Sequence, residues 1–319
     1  MENNWYDNFM DELHRKYPKR TQLSNALMEL LIIEREAVYR RLRREVLFPV
    51  NEIVKIASAW NISLDELIGI NSGQVTFQLQ MINYINPSEE ELNYLRFIVQ
   101  SISSLQKYPS TEFMDICNKL PRQLVAGYKF LNQFYLFKWL YQYGNEKEIV
   151  PFSKIITSKE KQQVDDAYYK AIKNVPNSNF ILDGKIFEYL INNLKYFYSI
   201  RMITGQEKEQ IKAELHELLG YLMEIAINGC YPETKNKVNL YISQLCIDTN
   251  YSYTFSPEAK VCFIHVFEKY EIYTFNLEMV TNFRKWMQLK KRSSTQISEV
   301  DERSRIEFFT KQYQLIESL

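Results

Sequence analysis

Glu34-Arg35-Glu36-Ala37-Val38-Tyr39-Arg40-Arg41-Leu42-Arg43-Arg44-Glu45 decides how the first part of this chain is read, because five of its twelve residues are arginine. Side chains on an α-helix advance by about 100° per residue. On that wheel Val38, Tyr39 and Leu42 gather on one side, Glu36, Arg40, Arg43 and Arg44 face the other, and Arg35 and Arg41 lie on the flanks. One face can be anchored in a small core. The other then offers guanidinium groups, which pair in a bidentate manner with phosphate oxygens and guanine edges. The plainer reading is a solvated helix laced by pairs such as Glu36–Arg40 at i,i+4 spacing.

The flanks favour the first reading. Residues 1–18 predict a helix striped by Trp5, Phe9 and Leu13, with Pro18 just past its end. Lys19-Arg20-Thr21 opens a second helix with Thr21 as N-cap and Leu23, Leu27, Leu30 and Leu31 as its apolar stripe. It ends near Leu31-Ile32-Ile33, and the arginine helix starts at Glu34. Two short helices this close are a helix-turn-helix arrangement. Pro49 suits the first turn of a further helix striped by Ile53, Ile56, Ala57 and Trp60. Ser63-Leu64-Asp65-Glu66 is a capping box opening a fifth helix before Gly69. Asn71-Ser72-Gly73 is a linker by composition.

From about Tyr6 to Gly69 these residues resemble the DNA-binding domain of Cro/CI-type (lambda-repressor-like) bacterial regulators. The resemblance rests on the helix pair, on Val38-Tyr39-Arg40-Arg41-Leu42-Arg43 at the place of the recognition helix, and on Ile53-Val54-Lys55-Ile56-Ala57 leading into Asn61-Ile62-Ser63-Leu64-Asp65-Glu66-Leu67. The sequence departs from the family twice. Ile32-Ile33 stands in the turn where the family often has glycine, and Arg44 stands where a glycine would end the helix, which implies a longer recognition helix. The resemblance implies base readout by Arg35, Glu36 and Arg40. It implies phosphate contacts from Lys19, Arg20, Thr21, Ser24, Arg41, Arg43 and Arg44, on double-stranded DNA read by a homodimer.

Beyond residue 72 the pattern changes. Val75-Thr76-Phe77-Gln78-Leu79-Gln80-Met81 alternates like a strand and needs a remote partner. Residues 73–205 are otherwise read as mainly helical. Ser88-Glu89-Glu90-Glu91 is a capping box, and the aromatic run from Tyr128 to Tyr141 makes a helix that is buried or lines a cavity, a core helix in preference to a ligand-lining one. Val175-Pro176-Asn177-Ser178-Asn179 punctuates the helices, and Asp165-Asp166 is read as a solvated pair. Residues 206–319 are read as α+β: a long helix to Ile227, then three or four strands around 238–242, 251–255, 261–267 and 271–275. Two closing helices follow. The first is capped by Asn276 and ends in Lys290-Lys291-Arg292, a cluster read as complementing the helix C-terminus in preference to touching DNA. The second starts after Ser298, with Ile306, Phe309, Tyr313 and Ile316 inward. Leu136-Phe137-Lys138-Trp139-Leu140-Tyr141, Leu240-Tyr241-Ile242-Ser243 and Tyr251-Ser252-Tyr253 resemble an uncharacterised group of bacterial regulators in which the same helix-turn-helix precedes a large C-terminal region. That resemblance names no ligand.

The expected fold class is therefore mainly α: a five-helix helix-turn-helix domain over 1–72, then a larger α+β region with a small sheet, packed as one dimerisation and effector domain. Lys plus Arg and Asp plus Glu each number 39, so attraction to nucleic acid must come from the local arginine cluster. No run approaches the ~18 apolar residues of a membrane helix. Cys117, Cys230, Cys246 and Cys262 are far apart and read as reduced thiols of a cytoplasmic protein. No cofactor or metal is expected, because His14, His216 and His265 have no partner at ligand spacing and only eight glycines are present for a phosphate-cradling loop. His265, in a strand of apolar neighbours, reads as a hydrogen-bonded structural histidine, and no enzyme is legible. An effector pocket, if present, would be bordered by Tyr241, Tyr251, Tyr253, Tyr273 and Trp286, with Arg284 meeting an anionic group. The competing reading of that region is an aromatic core. For the whole chain the alternative is a protein-interaction module whose N-terminal domain only tethers it to DNA or has lost DNA binding.

Overall fold

Apolar residues at three- and four-residue spacing make most of residues 5–60 helical. A computed structural model describes residues 5–60, 62–64, 67, 75–144 and 149–319. The chain divides into two units, Met1–Thr76 and Phe77–Leu319. In the small unit α1 spans Trp5–Lys16, α2 Arg20–Leu31, α3 Arg35–Leu42 and α4 Val50–Trp60. Phe9, Leu13, Leu23, Leu27, Val38 and Ile56 are fully enclosed, each contributing about 1.5–3 kcal/mol by leaving water. The buried stripe of α1 is Tyr6, Phe9, Met10 and Leu13. Trp5, expected inward, is 38% exposed, because it begins the helix one position off that stripe. The N-cap of α2 is Lys19 rather than Thr21, which falls inside the first turn. The capping box and fifth helix rest on Asp65, Glu66 and Gly69, and the linker on residues 71–73, all outside the described residues.

Both helix ends that the sequence leaves without glycine nevertheless take the left-handed turn. Ile32 closes α2 at φ 56°, ψ 49°, its amide donating to the Met28 carbonyl at 3.0 Å. The expected extension of α3 through Arg44 does not occur: the helix stops at Leu42 and Arg44 adopts φ 63°. The reason is satisfaction of the last carbonyls. The Arg44 amide donates to Arg41 and the Glu45 amide to Arg40, both at 2.9 Å, the paired bonds of a Schellman ending.

In the larger unit β1 is Gln78–Leu79, α5 Glu89–Ser104, β2 Glu112–Cys117, α6 Arg122–Val125, α7 Lys129–Tyr143, α8 Lys159–Ile172, β3 Asn177–Asp183, α9 Ile186–Ser199 and α10 Gly205–Asn228. Then follow β4 Lys237–Ser243, β5 Tyr251–Phe255, β6 Lys260–Val266, β7 Tyr270–Thr274, α11 Leu277–Lys290, β8 Ser294–Gln296 and α12 Glu302–Glu317. The protein is thus mainly α with a mixed sheet of eight strands in the order β1-β7-β6-β5-β2-β3-β4-β8. β2, β3 and β4 run parallel, and the other pairings are antiparallel.

The sheet is larger than expected. Its central strands β2 and β3 come from the region read as mainly helical, and the supposed punctuation at 175–179 is the entry to β3. β1 pairs with β7 over two residues rather than seven. One sheet face carries Met114, Ile116, Ile181 and Tyr253 against Val280, Phe283 and Met287 of α11. The other carries Phe113, Phe180, Leu182 and Leu240 against α7, α9, α10 and α12. Ser88 with Glu91 and Asn276 cap α5 and α11 as the sequence predicts, and Gly229 closes α10 at φ 65°. α12 begins later than expected, capped by Asp301, and buries Phe308, Phe309, Gln312 and Ile316. Ile306 is exposed. Among the described residues no helix is long and apolar enough to cross a membrane.

A β-branched residue in the left-handed region costs about 1–2 kcal/mol. Ile32 gains little in return because its side chain is 87% exposed. Ile32→Gly should therefore stabilise the small unit by about 1 kcal/mol and raise its calorimetric midpoint by roughly 4–8 °C. An unchanged or lower midpoint would show that the turn carries no such cost.

Candidate nucleic-acid interface

α3 is held from behind and open in front. Val38 and Leu42 are buried, while Arg35, Glu36, Arg40, Arg43 and Arg44 are exposed. Arg35 makes no ion pair among the described residues, and the carboxylate nearest Arg40 is Glu45 at 3.8 Å. Arg43 is shared between Glu36 and Glu45, both at 2.9 Å, and Arg44 pairs with Asp7 of α1. Lys19, Arg20 and Thr21 are exposed where α2 begins, and the Arg20 guanidinium lies 5.6 Å from the centre of the Tyr39 ring. Exposed pairs of this kind are worth roughly 0–1 kcal/mol. A phosphate oxygen can therefore replace the carboxylate at small cost.

Two of the expected phosphate contacts are placed elsewhere. Ser24 is buried in α2 between Leu23 and the rest of the core, so its hydroxyl cannot reach a phosphate. Arg41 turns back to α4: Nε and Nη2 donate to Glu52 at 2.6 and 2.8 Å, and Nη1 donates to the Ala37 carbonyl at 3.1 Å. Its side chain is half-buried and clamps two helices together. Residues 1–76 contain ten Lys and Arg against eleven Asp and Glu, so any attraction for a polyanion rests on where the cations stand.

In the larger unit the proposed pocket aromatics do not converge. Tyr241 on β4 is separated from Tyr251 and Tyr253 on β5 by β2 and β3, and Tyr273 lies on β7 beside Phe263 and Phe275. Tyr251, Phe283 and Trp286 pack against one another with ring centres 5.1–6.1 Å apart. Arg284 is already engaged: Nε and Nη2 donate to Glu112 at 2.9 and 2.6 Å, while the side chain stays 41% exposed. Gln288 donates to the Tyr253 hydroxyl at 2.6 Å. Tyr241, Tyr251 and Tyr253 pack with Val280, Phe283 and Met287 of α11 in one apolar cluster.

The charged groups that the sequence reading missed lie elsewhere in the larger unit. Asp165, read as solvated, is buried and accepts from Arg122 at 2.8 Å, Lys161 at 2.5 Å and Asn132 at 3.1 Å. Burial works to raise its pKa, but Arg122 and Lys161 outweigh it and hold the carboxyl down to about 2. The ammonium groups of Lys161 and Lys269 lie 5.8 and 4.9 Å from the Tyr84 ring centre. Burial, with Lys161 and Arg122 beside it, pushes Lys269 down to about 7. One signal was available: Asp165 falls on the same helical face as Lys161, Tyr168 and Ile172. A second group centres on Glu268, which pairs with Lys119 at 2.6 Å and Lys138 at 2.9 Å. His265 Nε2 lies 2.8 Å from the Glu268 carbonyl oxygen, and burial lowers the histidine's pKa. No cluster of three or more His, Cys, Asp or Glu is placed to hold a metal among the described residues.

Comparisons with protein-family models, with curated proteins and with solved structures find no match for this chain.

Two outcomes follow from the pairing. Arg41→Ala should destabilise the small unit by about 2 kcal/mol, whereas Arg40→Ala should stay within about 0.5 kcal/mol. Urea titration of both variants measures the contrast. Asp165→Asn should cost the larger unit about 3–5 kcal/mol, since Arg122 and Lys161 would lose their buried counter-charge. Because the folded carboxyl has a depressed pKa, its contribution is complete above the unfolded value of ~3.9 and disappears as pH falls toward about 2. Near-UV circular dichroism in acid should show that loss in the parent and not in the Asn variant.

Proposed function

We propose that the small unit binds double-stranded DNA as a helix-turn-helix of the Cro/CI type and that the protein is a transcriptional regulator. The observation that carries this reading is α3 itself. It follows α2 after Ile32-Ile33-Glu34, buries Val38 and Leu42, and turns Arg35, Glu36 and Arg40 outward. Arg35, Glu36 and Arg40 are assigned to base edges. Lys19, Arg20, Thr21, Arg43 and Arg44 are assigned to phosphates, with Arg41 supporting the helix from behind. A domain of this kind covers one half-site, so the regulator acts as a homodimer joined through the larger unit.

The carboxylates that already neutralise Arg43 and Arg44 favour one second reading, in which the unit no longer binds DNA and the chain works through protein partners. Salt separates the two. Each phosphate neutralised contributes a slope of about −0.9 to log K against log salt concentration. Filter or fluorescence binding to a selected operator duplex should give a steep slope. Arg40→Ala should cost about 1–3 kcal/mol on the preferred site alone, and Arg44→Ala should weaken all sequences evenly. Affinity independent of salt, or equal binding by both variants and the parent, would remove the DNA reading.

A further inference from the structure

The C-terminal ends of β2 and β3 open into a cavity of about 230 Å³. Ligands of sheets with parallel strands gather at those ends. The residues just past β2, Asn118 and Lys119, form one wall. Phe134, Tyr135 and Lys138 of α7 form a second, and Ile186, Tyr189, Leu190 and Asn193 of α9 a third. Most of this lining is aromatic or aliphatic. Among the described residues its charged members are the two lysines, with no carboxylate in the lining.

Lys138 is the unusual residue. It is buried on a helix that otherwise supplies Leu131, Phe134, Phe137 and Leu140 to the core. A buried ammonium needs a counter-charge, and this one shares its carboxylate: Lys119 and Lys138 both pair with Glu268. Among the described residues the two ammoniums thus share one carboxylate, beside a wall of low polarity. Glu268 is also held where it is at some expense. It sits at φ 65° after Phe267 at φ 49°, so the β6–β7 turn takes the left-handed conformation twice without glycine. Such residues cost about 1–3 kcal/mol each and persist where the surroundings fix them. Here the His265 ring holds the Glu268 carbonyl while both lysines hold its side chain.

We infer that this cavity binds a small monoanion with an apolar body, of the aryl or short branched-chain monocarboxylate class. Lys119 and Lys138 take the anionic head, and Phe134, Tyr135, Ile186, Tyr189 and Leu190 surround the body. Glu268 tunes the affinity by competing with the ligand for both ammoniums. The inference does not rest on DNA binding by the small unit.

Isothermal titration of the full chain with sodium benzoate tests it, with benzamide as the neutral isostere and inorganic phosphate as the anion lacking an apolar body. Benzoate should saturate one site with a Kd of about 1 mM or lower. Benzamide and Lys119→Gln should each weaken binding by roughly tenfold, the size expected when a partly desolvated charge contact worth about 1.4 kcal/mol is lost. Lys119 is the more exposed of the two lysines, so its variant should fold normally. Glu268→Gln should tighten benzoate binding by freeing both ammoniums, and Arg40→Ala should leave it unchanged. Equal affinity for benzoate and benzamide, indifference to Lys119→Gln, or weaker binding in Glu268→Gln would overturn the proposal. So would phosphate binding without benzoate binding, or no saturation by benzoate at roughly ten times that concentration.

Discussion

The parallel pairing of β2 with β3, both buried on two faces, is the constraint on which the larger unit depends. A strand enclosed on both sides cannot meet its hydrogen-bonding needs with water, so every backbone group must find a ladder or a cap. β2 does so between β3 and β5, and β3 between β2 and β4. Parallel neighbours cannot be joined by a tight turn. The chain therefore leaves β2 through α6, α7 and α8, and leaves β3 through α9 and α10. Those helices supply one of the two layers that bury the sheet. The cavity beside Lys119 is a by-product of the same geometry, because it forms where the two departing segments diverge.

Charge is handled in opposite ways in the two units. In the larger one Arg122, Lys161 and Lys138 are taken out of water, and each is answered by a carboxylate within 3 Å. Removing a partner there leaves a desolvated charge, which is why such pairs resist change. In the small unit the arginines of α3 other than Arg41 stay in water, where their pairs are exposed and weak. Arg41 alone is withdrawn, and it alone makes a two-pronged bond to a carboxylate on another helix. The distinction between a guanidinium that builds the domain and one that can serve a partner is thus one of solvation, not of residue type.

Sequence periodicity was sufficient for α1 to α4 of the small unit, because their stripes of Leu, Ile and Phe are regular. It was insufficient for β2 and β3. Glu112-Phe113-Met114-Asp115-Ile116-Cys117 and Asn177-Ser178-Asn179-Phe180-Ile181-Leu182-Asp183 are short, buried on both faces and interspersed with polar residues on either one, so they lack the alternation that marks a half-exposed strand. Glycine-based reasoning failed at Ile32 and Arg44 because hydrogen bonds to the preceding turns, not residue identity, settle those endings. For the sites, the arginine face was visible as a cluster in sequence. Glu268 was not: its partners Lys119 and Lys138 lie far away in the chain and meet only once β6 is in place beside β5 and β2.

The sheet's outer rim bears on how this molecule keeps to itself. At one side β8 covers β4 for only three residues. The rest of β4 is nevertheless occupied: Val238 donates to the Gly229 carbonyl, Leu240 donates to the Ser298 hydroxyl, and the Leu240 carbonyl accepts from Ile297. An exposed strand with a free ladder is a template on which another chain can extend the sheet. Along β4 the template is already filled, by a loop and a hydroxyl rather than by a strand. A neighbouring molecule therefore finds no backbone row to join there. Recognition on that flank must read side chains, and Leu240 N–H is the one group of this stretch whose cover is a side chain, the Ser298 hydroxyl.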